Sequence, residues 1–290
     1  MDEWLTDLER LLDGAVKKTC KPKMGMIFSS GVDSALIAYA ASRHCDITSY
    51  NVGVEDSDDI RFANRLESEA PFKIKYIPLK TAEVEPAIRD VLRIVRRPNP
   101  IDVGVGIPFY LVSKAAKKDG LDAVLCGQGG DELFGGYWRY LECLVKMGAG
   151  EVAAWMEKDW ANADADNLDR DRAMCKTNNV ELRFPYLDRE FSDYSRKMPF
   201  DLKIREDGDL VCDEIAGRKF ARKYALKKLA LRVGVPEYIV NRVKRAAQYG
   251  SGTNKALERI ARSKGYKAKA SSAGRNDYLR LYLEDVLASL

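Results

Sequence analysis

Met24-Gly25-Met26-Ile27-Phe28-Ser29-Ser30-Gly31-Val32-Asp33-Ser34-Ala35-Leu36-Ile37-Ala38-Tyr39-Ala40-Ala41 joins two apolar stretches through a short run of small and polar residues. The first stretch, Met24 to Phe28, reads as a buried strand, and Ala35 to Ala41 reads as a helix. Such a turn exposes several unpaired backbone N–H groups at the positive end of the helix dipole. Small side chains let an anion approach that backbone, and a phosphate is the natural guest. The plain alternative is an ordinary N-cap in which Ser30 or Asp33 satisfies the free amides. Neither the spacing and lysine of a Walker loop nor the G-x-G-x-x-G of a dinucleotide site is present.

The same alternation continues outward. Trp4, Leu5, Leu8, Leu11, Leu12, Ala15 and Val16 recur at helical spacing ahead of the first strand. A second strand is expected over about Ile47 to Val54, a helix over Asp56 to Ala70, and a third strand over Phe72 to Ile77. A helix over Ala82 to Val95 follows, then a loop from Pro98 to Pro108, which holds three prolines and two glycines. Phe109 to Lys118 returns to helix and Leu121 to Cys126 to strand. This alternation implies a parallel sheet covered on both faces. Beyond Gly136 no strand series is legible. Leu141 to Trp160, Arg170 to Asn178, Phe220 to Val233 and Asp277 to Leu290 read mostly as helix, packing back on the α/β half. Glu206-Asp207-Gly208-Asp209 reads as a turn tip.

Composition narrows the chemistry. The chain has 290 residues, with 48 Lys+Arg against 44 Asp+Glu, a balance that describes a solvated surface rather than a nucleic-acid stripe. Its one histidine, His44, lies near an expected helix end, so no multi-histidine zinc site and no histidine-based triad beyond that residue can be built. The six cysteines, Cys20, Cys45, Cys126, Cys143, Cys175 and Cys212, form no C-x-x-C pair. With no signal sequence and no apolar run of ~18 residues, the expectation is a soluble cytoplasmic protein with reduced thiols.

A second loop follows the Leu121–Cys126 strand: Cys126-Gly127-Gln128-Gly129-Gly130-Asp131-Glu132-Leu133-Phe134-Gly135-Gly136-Tyr137. In a parallel sheet both loops open at the strands' C-terminal edge, where open α/β sheets bind ligands. Each contributes an acid, Asp33 and Asp131, suited to Mg²⁺ held between carboxylates and polyphosphate oxygens. A glycine-rich turn in which Asp131 merely caps the next helix is the plain alternative.

The first loop resembles the S-G-G-x-D-S loop of the N-type ATP pyrophosphatases, with Ser30 in place of the first glycine. The second resembles the G-E-G-x-D-E-x-F-G-G-Y segment of asparagine synthetases and β-lactam synthetases. Asp171-Arg172-Ala173-Met174, Val180-Glu181-Leu182-Arg183-Phe184-Pro185-Tyr186-Leu187-Asp188 and Arg242-Val243-Lys244-Arg245-Ala246-Ala247-Gln248-Tyr249-Gly250-Ser251-Gly252 look like later stretches of that family, in the same order.

The resemblance implies an α/β doubly wound parallel sheet of the adenine nucleotide α-hydrolase-like (ATP pyrophosphatase) type, with a helical C-terminal half packed on it. Residues 1–290 then form one asparagine-synthetase-like domain: an N-terminal helix over 1–20, an α/β part over 21–136 and a helical part over 137–290. ATP is expected near Ile27, Val52 and Gly53 for its adenine and on Ser29, Ser30, Gly31, Val32, Asp33 and Ser34 for its phosphates, with Cys126 and Gly127 beneath. Mg²⁺ is expected on Asp33 and Asp131. A substrate carboxylate would be adenylated with release of pyrophosphate, and ammonia or an amine would then displace AMP. Lys244 is the expected stabiliser of the α-phosphoryl charge and Glu181 the group orienting the nitrogen. Arg242 is either a phosphate contact or a surface charge, and Asp188 a helix cap. Gln128 stands where asparagine synthetases carry an acid, and a neutral amide cannot take up a proton near neutral pH.

Glutamine-dependent members begin with a glutaminase domain whose nucleophilic cysteine follows the initiator methionine. Asp2 stands there, and only about twenty residues precede the first strand. The expectation is therefore a stand-alone ammonia-dependent ligase, or one fed by a separate glutaminase subunit. The expected partners are a carboxylic acid of the aspartate kind and ammonia or an amine, with a homodimer as one assembly. Neither a membrane nor a nucleic acid is expected. Two other readings share the phosphate loop: an adenylating RNA-modification enzyme using Arg218, Lys219, Arg222, Lys223, Lys227 and Lys228 as a basic helix face, and a catalytically silent nucleotide-binding subunit.

Overall fold

The computed structural model describes residues 3–163, 167–210, 213–243 and 247–290. After α1 (Glu3–Thr19), strands and helices alternate: β1 (Lys23–Ile27), α2 (Val32–Ala41), β2 (Asp46–Gly53), α3 (Asp58–Leu66), β3 (Lys73–Pro78), α4 (Thr81–Val95), α5 (Pro100–Lys118) and β4 (Ala123–Leu125). The chain continues through α6 (Gly130–Phe134), α7 (Trp138–Met147), α8 (Ala149–Ala163), α9 (Asp169–Thr177), β5 (Glu181–Arg183), α10 (Arg189–Lys197) and α11 (Phe200–Lys203). Three short strands, β6 (Ile204–Glu206), β7 (Asp213–Ile215) and β8 (Arg218–Arg222), precede α12 (Tyr224–Val233), α13 (Glu237–Val240), α14 (Ala247–Gly250), α15 (Thr253–Ser263), α16 (Tyr266–Ser272) and α17 (Tyr278–Ala288).

The main sheet is parallel throughout and ordered β3-β2-β1-β4-β5. Chain order reverses between β1 and β4, so the loops leaving those strands diverge and open a crevice at their C-terminal ends. Side chains alternate across β1. Met24 and Met26 join the core under α1, α2 and α12, where Leu8, Leu12, Leu36 and Leu229 are buried. On the other face Tyr50, Val52 and Val124 pack with α4, α5, α15 and α17 through Val91, Ile107, Leu257 and Leu283. A smaller cluster of Tyr140, Leu141, Val152, Met156 and Phe220 ties α7 and α8 to the antiparallel sheet β6-β8-β7. The expected doubly wound α/β sheet, with a largely helical second half on it, is the architecture observed.

Three local expectations are corrected. The stretch from Pro98 to Pro108 is mostly helix, because α5 starts at Pro100. Asn99 Oδ1 accepts the Ile101 N–H, and Pro100 takes a first-turn position that needs no N–H of its own. Gly104 and Gly106 are packing positions, where an added Cβ would lie 3.2 Å from Gln248 Cβ and 3.1 Å from Val91 Cγ1. Strands do occur beyond Gly136, but β5, β6 and β7 have three residues each, too few to carry an alternation. Residues 218–222 form β8 rather than helix, which dissolves the expected basic helix face. Arg218 pairs with Glu206, Arg222 with Asp213, and Lys228 with Asp209, while Lys227 donates to the Leu210 carbonyl.

His44 Nε2 lies 2.6 Å from Asp13 Oδ1 just beyond α2, a structural pairing. Asp188 caps α10, accepting the amides of Glu190 and Phe191. Asp207 and Gly208 take positive φ at the turn after β6. Among the described residues no helix is long and apolar enough to cross a membrane.

Candidate active site

A cavity of about 280 Å³ opens at the β1–β4 divergence. Its floor is the first turn of α2. Gly31 is the N-cap, and among the described residues no side chain caps the turn. Among the described residues the amides of Val32, Asp33 and Ser34 find no backbone acceptor. Ser29 and Ser34 hold the loop together: Ser34 Oγ accepts from the Ser29 amide at 3.2 Å and donates to the Gly31 carbonyl at 3.1 Å. Gly127, leaving β4, lies against this turn. A Cβ there would stand 3.0 Å from both the Asp33 carbonyl carbon and the Ser34 nitrogen, so only glycine permits the approach.

Beside the turn the structure brings together three charges. Lys223 Nζ lies 2.5 Å from Asp33 Oδ2 and 2.7 Å from Asp131 Oδ1. Lys223 is buried at the N-cap of α12, with φ of 57°. Burial pulls its pKa down, but Asp131 and Asp33 outweigh it, and the ammonium is held above the ordinary lysine value. Gly136 makes room for the cluster, since a Cβ there would collide with Asp131 Oδ1 and Lys223 Cε. Tyr186 donates to the Asp33 carbonyl at 3.0 Å from beneath, and burial pushes its phenol well up, so it remains a donor.

The far wall carries Gln128, Arg170 and Gln248. Gln128 Nε2 donates to Asp171 Oδ2 at 2.8 Å, and Arg170 Nε donates to Asp171 Oδ1 at the same distance. Asp171 is fully buried, and burial raises its pKa against the opposing pull of Arg170 and Gln128. Because a carboxylate only accepts, the pairing fixes the Gln128 amide with its NH₂ toward Asp171.

Of the residues expected to bind ATP, Ile27, Ser29, Gly31, Val32, Asp33, Ser34, Cys126 and Gly127 line the cavity. Val52 lies in an adjoining hollow that shares Ile27, Ser29, Asp59 and Phe109 with it. Ser30 turns away: its hydroxyl is buried, donates to the Asp59 carbonyl at 3.0 Å and accepts from Asn51 Nδ2. Gly53 is shut in by Ser57, Ile60 and the Ser251 carbonyl. Asp33 and Asp131, expected to hold metal, both line the cavity and contact the same lysine. Asp33 Oδ1 is buried and has no hydrogen-bond partner among the described residues, so an acceptor remains open to them beside the anion-ready turn. Among the described residues no third His, Cys, Asp or Glu completes a metal cage.

Glu181 is not at the cavity. It starts β5 opposite Ala123, at the N-terminal edge of the sheet, and pairs with Arg183 at 2.8 Å and Lys21 at 3.5 Å. Glu181 is therefore not among the residues that the structure brings to the cavity. Arg242 is neither a surface charge nor free: Nη1 donates to the Ser29 carbonyl at 2.8 Å and Nη2 to Asp59 at 2.6 Å. Lys244 lies outside the described residues, while Val243 and Gln248 on either side of it line the cavity. Lys223, Arg170 and Asp171 are the site residues that sequence reasoning missed. Asp171 stood in one of the matched stretches, but Lys223 was hidden in a run of basic residues.

A family model for asparagine synthase matches residues 7–162 and 145–282. The chain belongs to the asparagine synthase family. A Methanocaldococcus jannaschii relative, provisionally named asparagine synthetase (glutamine-hydrolyzing) 1, is 36% identical over 283 residues, covering 90% of this chain and 52% of its own. The asparagine synthetases (glutamine-hydrolyzing) of Mus musculus and Homo sapiens are 27% and 26% identical over 212 residues, covering 70% of this chain and 37% of theirs. The chain thus spans about half the length of the archaeal relative.

Proposed function

We propose that the chain is an ATP- and Mg²⁺-dependent amide-forming ligase that adenylates a substrate carboxylate of the aspartate kind. The observation that carries the reading is the convergence of an uncapped α2 N-terminus with Asp33, Lys223 and Asp131 in one cavity at the sheet's switch point. Free amides and an ammonium bind a polyphosphate, and the two acids match the metal that accompanies it. When bound on Asp33 and Asp131, Mg²⁺ would neutralise phosphate charge and the departing pyrophosphate.

The substrate carboxylate attacks the α-phosphorus of ATP. An acyl–O–P bond forms, the bond to the pyrophosphate breaks, and a poor leaving group becomes AMP. Ammonia or an amine then adds to the acyl carbon, loses a proton, and expels AMP to leave an amide. Lys223, beside the α2 turn, would offer positive charge to a bound phosphate, and Lys244 is assigned the α-phosphoryl group through its matched motif. Gln128, held by Asp171, offers an acceptor oxygen to the nitrogen. In this reading residues 21–136 supply the nucleotide loops and residues 137–290 complete the substrate side. Ammonia comes free or from a separate glutaminase subunit.

The test is the nucleotide product. AMP and pyrophosphate should form from ATP only with a carboxylic acid present. Formation of ADP, or turnover indifferent to the acid, would remove the reading.

A further inference from the structure

Cys20 and Cys45 lie on the edge of the sheet away from the cavity, each just ahead of a strand. Cys20 follows α1, its amide donating to the Val16 carbonyl; Cys45 follows α2, its amide donating to the Ala41 carbonyl. Their strands are neighbours: Lys23 pairs with Asp46, and the Asp46 amide donates to the Pro22 carbonyl at 3.0 Å. Cys45 thus stands level with Pro22, two residues past Cys20, and the two sulfurs are 3.3 Å apart, within reach of an S–S bond after a small side-chain movement.

From this juxtaposition we propose that Cys20 and Cys45 are an oxidisable dithiol, a modification site whose co-substrate is a hydroperoxide and whose product is a disulfide joining the starts of β1 and β2. The inference is independent of the ligase reading.

The two thiols are unequal. The hydrogen bond from Cys45, opposed by burial and aided by the nearby charge of Arg183, holds the Cys20 thiol below its ordinary value. The same hydrogen bond, together with burial, pushes Cys45 up. Cys20 is thus the attacking sulfur. Its thiolate attacks a peroxide oxygen, the O–O bond breaks, and an alcohol or water departs, leaving Cys20 as the sulfenic acid. The Cys45 sulfur then attacks the Cys20 sulfur, its proton leaves with the hydroxyl as water, and the S–S bond forms. Two thiols lose two electrons to one peroxide.

Both residues are only partly buried, so a small oxidant reaches them. Cys126, Cys143 and Cys175 are buried, and burial pushes each of those thiols up, which sets them apart as internal controls. The bond would close a loop running from Cys20 to Cys45 that carries β1, the phosphate turn and α2. Cross-linking a loop of that length raises a folded domain's midpoint by roughly 5 °C.

The experiment is to titrate the full chain with hydrogen peroxide, quench with an alkylating reagent, and map peptides. The expected result is a Cys20–Cys45 linked peptide two hydrogens lighter than the sum of its parts, reversed by dithiothreitol, with a raised thermal midpoint. In Cys45→Ser, Cys20 should instead be trapped by dimedone as a sulfenic acid. Cys20 and Cys45 recovered unlinked after Cys20 has been oxidised, or cross-links leading chiefly to other cysteines, would overturn the proposal.

Discussion

Lys223 and Asp33 are 190 residues apart in the chain and 2.5 Å apart at the cavity, and the same ammonium reaches Asp131 at 2.7 Å. One lysine therefore holds together two carboxylates from two different loops. The arrangement keeps the two acids beside one ammonium without leaving them to repel each other. It also makes Lys223 a stability residue whether or not ligand is bound.

Replacing it exposes that role. Lys223→Met should cost about 3–5 kcal/mol, because removing one partner of a buried ionic group strands the others. The pH dependence has a definite sign. The folded pKa is raised, so the stabilisation is complete below the unfolded lysine value of ~10.4 and is lost as pH rises through the folded value. Wild-type stability should fall on the alkaline side, and the variant should lack that limb. Urea midpoints between neutral and alkaline pH measure both; an unchanged midpoint at neutral pH would contradict the account.

Glu181→Gln should leave acid-dependent AMP formation within about twofold of wild type, since the side chain is 53% exposed at the opposite sheet edge and held by Arg183. A hundredfold loss, about 2.7 kcal/mol of transition-state stabilisation, would return this residue to the mechanism. Steady-state rates at saturating ATP decide it.

Gln128→Glu places a second carboxylate against Asp171, whose pKa burial already raises. The folded state would then take up a proton that the unfolded chain does not hold, so stability should drop at neutral pH and recover on acidification. The expected cost is about 2–3 kcal/mol near pH 8, shrinking toward pH 5. Equal destabilisation at both pH values would show that Gln128 and Asp171 are not coupled.

Lys203 is buried, donating among the described residues only to the Arg196 carbonyl, and burial brings its pKa down to about 8. A lowered lysine pKa is a cost that is complete below the folded value and relieved as pH rises toward the unfolded one. Lys203→Met should stabilise the fold by about 1–2 kcal/mol at pH 7, after the lost carbonyl contact is deducted, with the advantage gone near pH 10. Denaturant titration at the two values checks it, and destabilisation at pH 7 would refute it.

The strands β1 to β4 and both cavity loops were legible because an apolar run followed by small residues has few other solutions in an α/β chain. β5 to β8 were not, since three to five residues carry no period and their pairing is set by tertiary contacts. α5 was half hidden by its prolines and glycines, which serve the first turn and close packing rather than a loop. At the site, local pattern pointed to two acid-bearing loops whose Asp33 and Asp131 do meet at the cavity, but Glu181 was carried over by motif without its position along the strand. Lys223 could not be found at all from local sequence. Its importance comes from a positive-φ N-cap and a long-range approach that no window of residues encodes.

The most direct measurement is exchange of labelled pyrophosphate into ATP, run with single carboxylic acids, aspartate among them, with and without Mg²⁺. One acid should support exchange without ammonium, Mg²⁺ removal should abolish it, and Asp131→Asn should abolish it while keeping the folded circular dichroism spectrum. Exchange with no acid in the panel, or wild-type exchange in Asp131→Asn, would contradict the adenylating site.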